Sequence, residues 1–250
     1  MWKKTGKVLS TLLNAKINKK KLIAILFDPD REPIIPIEKL ALIKRYKPHF
    51  IFIGGSYLTN HVDMDGYIIR IKENTEVPVV LFPGSLMQLS KFADALLFLS
   101  LLGSRAVEFI WGYHFQAAPI LKKWSIEVIP TAYVITGSCS KTPIEFMAQY
   151  IPPPPEKPYI FEGIAITAEL LGFSTIYLEG GSGSSTSPAE NVIGVVSSAT
   201  ELPVIVGGGI KTILQLERAY MAGADLVVIG TALEENFSLL PAMIEKCNSL

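Results

Sequence analysis

Along the chain, short runs that are apolar at nearly every position alternate with longer stretches in which apolar residues recur every three or four places. The first kind reads as strands buried on both faces and the second as helices that cover them. Their alternation predicts βα units around a parallel sheet. Strand-like runs lie at residues 22–27, 50–53, 78–82, 95–99, 126–129, 174–178, 203–206 and 225–229. Helical spacing predicts helices over residues 36–46, 64–74, 105–124, 159–171, 212–222 and 238–247, and an amphipathic helix at 8–17 ahead of the first strand. A further helix is expected to begin near Ser187-Pro188, with Ser187 as N-cap and proline at the first helical position.

Two places break the rhythm. Only about a dozen residues separate the third and fourth strand candidates, which leaves a short helix or an irregular lid at residues 86–92. Residues 137–159 read as a loop, with Pro152 to Pro155 forcing extended backbone. Eight strands ending in glycines or acidic residues fit a (β/α)8 barrel, with a doubly wound open sheet as the alternative. The 250 residues match the usual size of one such barrel domain.

Composition narrows the function classes. Lys plus Arg and Asp plus Glu both total 23, so there is no broad basic field to attract nucleic acid. No apolar run approaches the roughly 20 residues that span a bilayer. Cys139 and Cys247 are far apart and make no CxxC spacing, so they read as free thiols in a reducing compartment, the cytoplasm by default. His49, His61 and His114 form no zinc pattern, and no Ser-His-Asp arrangement is visible.

The candidate chemistry sits at strand ends. Tyr177-Leu178-Glu179 runs into Gly180-Gly181-Ser182-Gly183, a loop whose backbone N–H groups can approach an anion ahead of a helix N-terminus. Gly208-Gly209 and Gly230-Thr231 follow the last two strands, where barrels of this type often hold phosphate. Taken singly, each glycine run could be a plain tight turn, and the loop a flexible linker. Alternation along a strand puts Tyr177 and Glu179 on one face and Leu178 on the other.

Together with Phe27-Asp28-Pro29-Asp30, Gly54-Gly55-Ser56 and Phe82-Pro83-Gly84, these motifs resemble the geranylgeranylglyceryl phosphate synthases and their bacterial heptaprenylglyceryl phosphate synthase relatives. The resemblance covers the chain from first strand to last, and the Tyr-Leu-Glu-Gly-Gly-Ser-Gly loop is its most specific part. It implies a modified TIM barrel with an irregular or missing third helix. It also implies transfer of a prenyl group, geranylgeranyl by the form of the loop, from prenyl diphosphate to the 3-hydroxyl of sn-glycerol 1-phosphate with Mg²⁺.

The implied metal residues are Asp28 and Ser56, with Asp30 in support through water. The acceptor's phosphate would lie against residues 180–184, Gly208, Gly209, Gly230 and Thr231, with Tyr177 and Glu179 facing the glycerol hydroxyls. Glu179 would take the proton of the attacking hydroxyl or only position it. A homo-oligomer is implied, dimer or hexamer, and product release at a membrane surface. Leu26 and Phe27 stand where some bacterial relatives carry a lysine, so no lysine contact is carried over. The aromatic run Phe109 to Tyr113 could line a prenyl groove or belong to the core. Two other readings stay open: a barrel isomerase or lyase acting on a small phosphorylated metabolite, and a phosphate-ligand binding protein without turnover.

Overall fold

In the computed structural model, which describes residues 6–55, 62–137, 142–181, 183, 184 and 186–250, eight parallel strands close into a barrel in sequence order, the first pairing with the last. The elements are α1 (Lys7–Asn18), β1 (Leu22–Phe27), α2 (Ile37–Tyr46), β2 (Phe50–Ile53), α3 (Met64–Asn74), β3 (Val79–Leu81), β4 (Ala95–Leu101), α4 (Gly112–Leu121), β5 (Glu127–Ile135) and α5 (Pro143–Met147). They continue with α6 (Pro158–Leu170), β6 (Thr175–Glu179), α7 (Glu190–Ala199), β7 (Val204–Gly207), α8 (Ile213–Ala222), β8 (Leu226–Ile229), α9 (Thr231–Glu235) and α10 (Leu240–Asn248).

The strands are largely apolar because both faces are buried, and successive residues divide between two packed layers. Leu22, Ala24, Phe50, Phe52, Leu97, Tyr177, Ile205 and Val228 fill the barrel interior. Their neighbours Ile23, Ile25, Ile51, Leu96, Leu178, Val206 and Val227 pack outward against the helices.

Helix α1 closes the barrel floor with Val8, Leu9 and Leu12, which join the interior layer. Its position is fixed electrostatically at both ends. The buried Glu127 carboxylate on β5 accepts from the backbone N–H groups of Gly6, Val8 and Leu9 at 2.8, 2.9 and 3.0 Å, where the helix dipole favours an anion. In the last turn of the helix, Lys16 pairs with Asp225 at 3.5 Å.

Between β3 and β4 there is no α-helix, only a 3₁₀ turn at Leu86–Gln88, as the short interval predicted. Other expectations need correction. The helix expected over 105–124 is a 3₁₀ turn at Val107–Phe109 followed by α4. Strand β5 runs on past Pro130 to Ile135, because one missing N–H leaves the rest of a ladder intact and the Pro130 carbonyl still accepts from Ser174.

Helix α7 begins at Glu190 with Ala189 as N-cap, not at Ser187-Pro188. The loop expected over 137–159 contains α5, started by a capping box in which Thr142 and Glu145 exchange hydrogen bonds.

Candidate active site

A single cleft at the C-terminal mouth of the barrel gathers most of the predicted site. Asp28, Tyr177, Glu179, Gly181, Gly183, Gly208, Gly209, Gly230 and Thr231 all line it. Leu178 does not join them, since its side chain faces the helices and is fully buried there. Gly180 is also set back, its N–H donating to the Gly207 carbonyl at 2.9 Å. Ser56 and Ser182 lie outside the described residues.

The polar centre is Glu179, the last residue of β6, only 7% exposed. Its Oε1 accepts from the Gly181 N–H at 2.7 Å, and the Tyr177 and Tyr133 hydroxyls also reach the carboxylate. Burial lifts its pKa from the ordinary 4.5 to about 7, against the lowering effect of those donors. Glycine is required on the facing strand end. A Cβ on Gly207 would strike the Tyr177 hydroxyl, and one on Gly208, whose φ is 77°, would strike the Glu179 carboxylate.

Tyr133 is a site residue that the sequence does not reveal, because the strand expected over 126–129 in fact continues through it. It completes an aromatic floor. Phe82 stacks on Tyr177 with centroids 4.9 Å apart and meets Tyr133 edge-on at 5.8 Å.

At the end of β1, Asp28 accepts from the Asp30 N–H at 3.0 Å and faces Arg31 at 3.7 Å, while Arg31 also pairs with Glu234 of α9 at 3.0 Å. Burial raises the Asp28 pKa, partly offset by the Asp30 N–H and Arg31. Among the described residues no cluster of three or more His, Cys, Asp or Glu is placed to hold a metal. A single half-buried carboxylate opening onto a cleft nevertheless fits a hard cation that takes its other ligands from phosphate and water.

Away from these polar groups the cleft turns apolar. Leu99, Leu101, Phe109, Tyr113, Ile135 and Ile144 line an arm between β4, β5 and α5. The aromatic run therefore divides: Phe109 and Tyr113 face the arm, and Trp111 is 43% exposed.

The chain that carries this cleft is similar to known proteins over most of its length. Residues 15–247 match the PcrB family. The chain belongs to the PcrB family. A relative from Flavobacterium johnsoniae, a geranylgeranylglyceryl phosphate synthase, is 42% identical over 92% of this chain and 96% of its own. A protein of the same name from Chitinophaga pinensis is 37% identical over 96% of this chain and 95% of its own.

Among solved structures, (S)-3-O-geranylgeranylglyceryl phosphate synthase from Thermoplasma acidophilum, in complex with its substrate sn-glycerol-1-phosphate, superposes with a TM-score of 0.88. It is 32% identical, covering 98% of this chain and all of that one. This PcrB-family chain thus shares its barrel with an enzyme, and its cleft opens at the C-terminal mouth, where barrels of this type carry their active sites.

Proposed function

We propose that this protein is a Mg²⁺-dependent prenyltransferase that joins a geranylgeranyl group to the 3-hydroxyl of sn-glycerol 1-phosphate. The observation that carries the reading is the cleft itself, in which a buried carboxylate with a pKa of about 7 stands between glycine turns and an apolar arm. A polyanionic head and a long hydrocarbon tail match those two halves. An isomerase or lyase of small phosphorylated metabolites has no use for the arm.

The acceptor's phosphate is received by Gly183 in the loop after β6 and by the turns at Gly208-Gly209 and Gly230-Thr231, which line the same cleft. Backbone N–H groups at such turns bind an anion without reacting with it. Glu179 then faces the 3-hydroxyl and accepts its proton as the oxygen bonds to C1 of the prenyl chain. The bond from C1 to the diphosphate breaks, and its electron pair leaves with the diphosphate. A carboxylate poised near neutrality is half ionised there and returns the proton readily. Tyr177 and Tyr133 hold the carboxylate by their hydroxyls and wall the reacting carbon from water.

The described lining carries four carboxylates, Asp28, Glu108, Glu179 and Glu234, against Lys211. Two phosphate-bearing substrates add further negative charge, so a divalent cation is expected, held by Asp28 and Ser56. When bound, Mg²⁺ would neutralise the departing diphosphate. The same reading makes the protein a cytoplasmic homo-oligomer.

The test is incubation with Mg²⁺, labelled sn-glycerol 1-phosphate and prenyl diphosphates of several lengths. The expected result is labelled glycerol phosphate that passes into organic solvent, most of it with the 20-carbon donor. Folded protein that binds the phosphate yet gives no product with any donor would overturn the proposal.

A further inference from the structure

The 3₁₀ turn that stands in place of a third helix carries one side chain with an unusual set of partners. Gln88 is fully buried. Its Oε1 accepts from the Gly84 N–H at 2.6 Å, and its Nε2 donates to the Gly55 carbonyl at 3.0 Å. One amide therefore joins the turn after β3 to the turn after β2. The two turns also touch directly, since a Cβ on Gly54 would strike the Phe82 carbonyl, and one on Gly55 would strike the Asp28 carboxylate. Gln88 thus fixes Gly84 and its neighbour Ser85 relative to Asp28.

Ser85 lines the cleft, and its Oγ is buried with no hydrogen-bond partner among the described residues. A buried hydroxyl in that state is unfavourable unless a water or a ligand satisfies it, and one on a cleft wall is open to both. The ligand is not the acceptor's phosphate, whose glycine turns follow β6, β7 and β8. Ser85 follows β3, next to β2 and β1 on the other side of the ring, where Asp28 stands.

We propose that Ser85 is a direct ligand of the donor's diphosphate, and that Gln88 is the positioning residue that sets it there. The inference rests on the prenyltransferase reading for the name of the ligand. Its core claim is narrower: the Ser85 hydroxyl, held by Gln88, contacts diphosphate and not the acceptor. An amide is needed at position 88 because it donates and accepts at once. A carboxylate can only accept and a thioether does neither well.

The test measures binding of inorganic pyrophosphate in Mg²⁺ by titration calorimetry, alongside KM for donor and acceptor. Loss of one hydrogen bond to a charged group predicts pyrophosphate binding about 10- to 100-fold weaker for Ser85→Ala, with donor KM raised in step. Acceptor KM should stay within about twofold. Gln88→Met should weaken pyrophosphate in the same way. Gln88→Glu should do so at pH 8 and recover towards the wild-type value at pH 5, as the new carboxyl regains a proton to donate to Gly55.

Pyrophosphate binding by Ser85→Ala equal to wild type, or acceptor binding lost together with it, would overturn the proposal. If Gln88→Met fails to fold, Ser85→Ala decides, since it removes one oxygen from the cleft wall. Wild-type protein whose pyrophosphate binding depends on Ser85 but which makes no product would sink the transferase reading and leave the Ser85 contact with diphosphate standing.

Discussion

Replacing Glu179 with glutamine should make the protein less active and more stable, and both effects follow from the same burial. The carboxyl is held at about 7 in the folded protein against an ordinary 4.5, so its ionised form is disfavoured by about 2.5 pK units, or of order 3 kcal/mol. The folded pKa is the higher of the two. The folded state therefore binds the extra proton, and stability is full below pH 4.5 and lost as the pH rises to about 7. Glutamine carries no charge and keeps an oxygen for the Gly181 N–H.

The melting curves of wild type and Glu179→Gln should therefore coincide near pH 4.5 and separate steadily, the variant melting about 6–10 °C higher at pH 8. Turnover should fall about 10²- to 10⁴-fold, the usual worth of a positioned base. Wild-type kcat should climb through about pH 7 and level off above it. Scanning calorimetry across pH 4.5 to 8 with parallel turnover assays checks all three. Melting temperatures that stay parallel across that range would refute the claim of a costly buried charge. A variant keeping more than about a tenth of wild-type turnover would refute the base role.

Three further outcomes are expected. Asp28→Asn should abolish Mg²⁺-dependent turnover while leaving acceptor binding intact, as read by a Mg²⁺ titration of rate beside calorimetry with sn-glycerol 1-phosphate. Gly208→Ala places a Cβ on the Glu179 carboxylate at a φ of 77° and should cost about 2 kcal/mol or more, with acceptor KM raised, by denaturant melts and initial rates. Glu127→Ala strands three backbone N–H groups under the barrel and should cost about 2–4 kcal/mol of stability without altering either KM.

The barrel was legible because its strands are buried on both faces, so runs such as 50–53 and 226–229 could hardly be anything else. The glycine turns were legible because glycine is demanded where Gly207 meets Tyr177 and Gly208 meets Glu179. What stayed hidden depended on partners far away in sequence. Helix α7 looked as if it began at a serine and a proline, yet its first turn is set by packing of Val192 and Ile193 and starts at Glu190. Tyr133 was obscured by Pro130, which suggested a strand end. Helix α5 had a readable signal in Thr142-Pro143-Ile144-Glu145, a capping box overshadowed by the prolines that follow. Gln88 could not be found by any local pattern, because its two partners come from different turns.

The way α1 is seated bears on how the chain is made. Its N-terminal end is held by Glu127, 121 residues beyond Gly6, and its C-terminal end by Asp225, next to the last strand. Tyr220 reaches back to the Leu22 carbonyl across 198 residues, and β1 has one neighbour, β8, that is made after the other seven strands. Helix α1, made before every strand of the barrel, is thus among the last elements to find its full set of partners, and until then its apolar side has nowhere native to go. Such long-range closure slows folding and lengthens exposure to aggregation. Early release of a chain truncated before Asp225 would leave a ring that cannot close, a product for the protease rather than a partial enzyme.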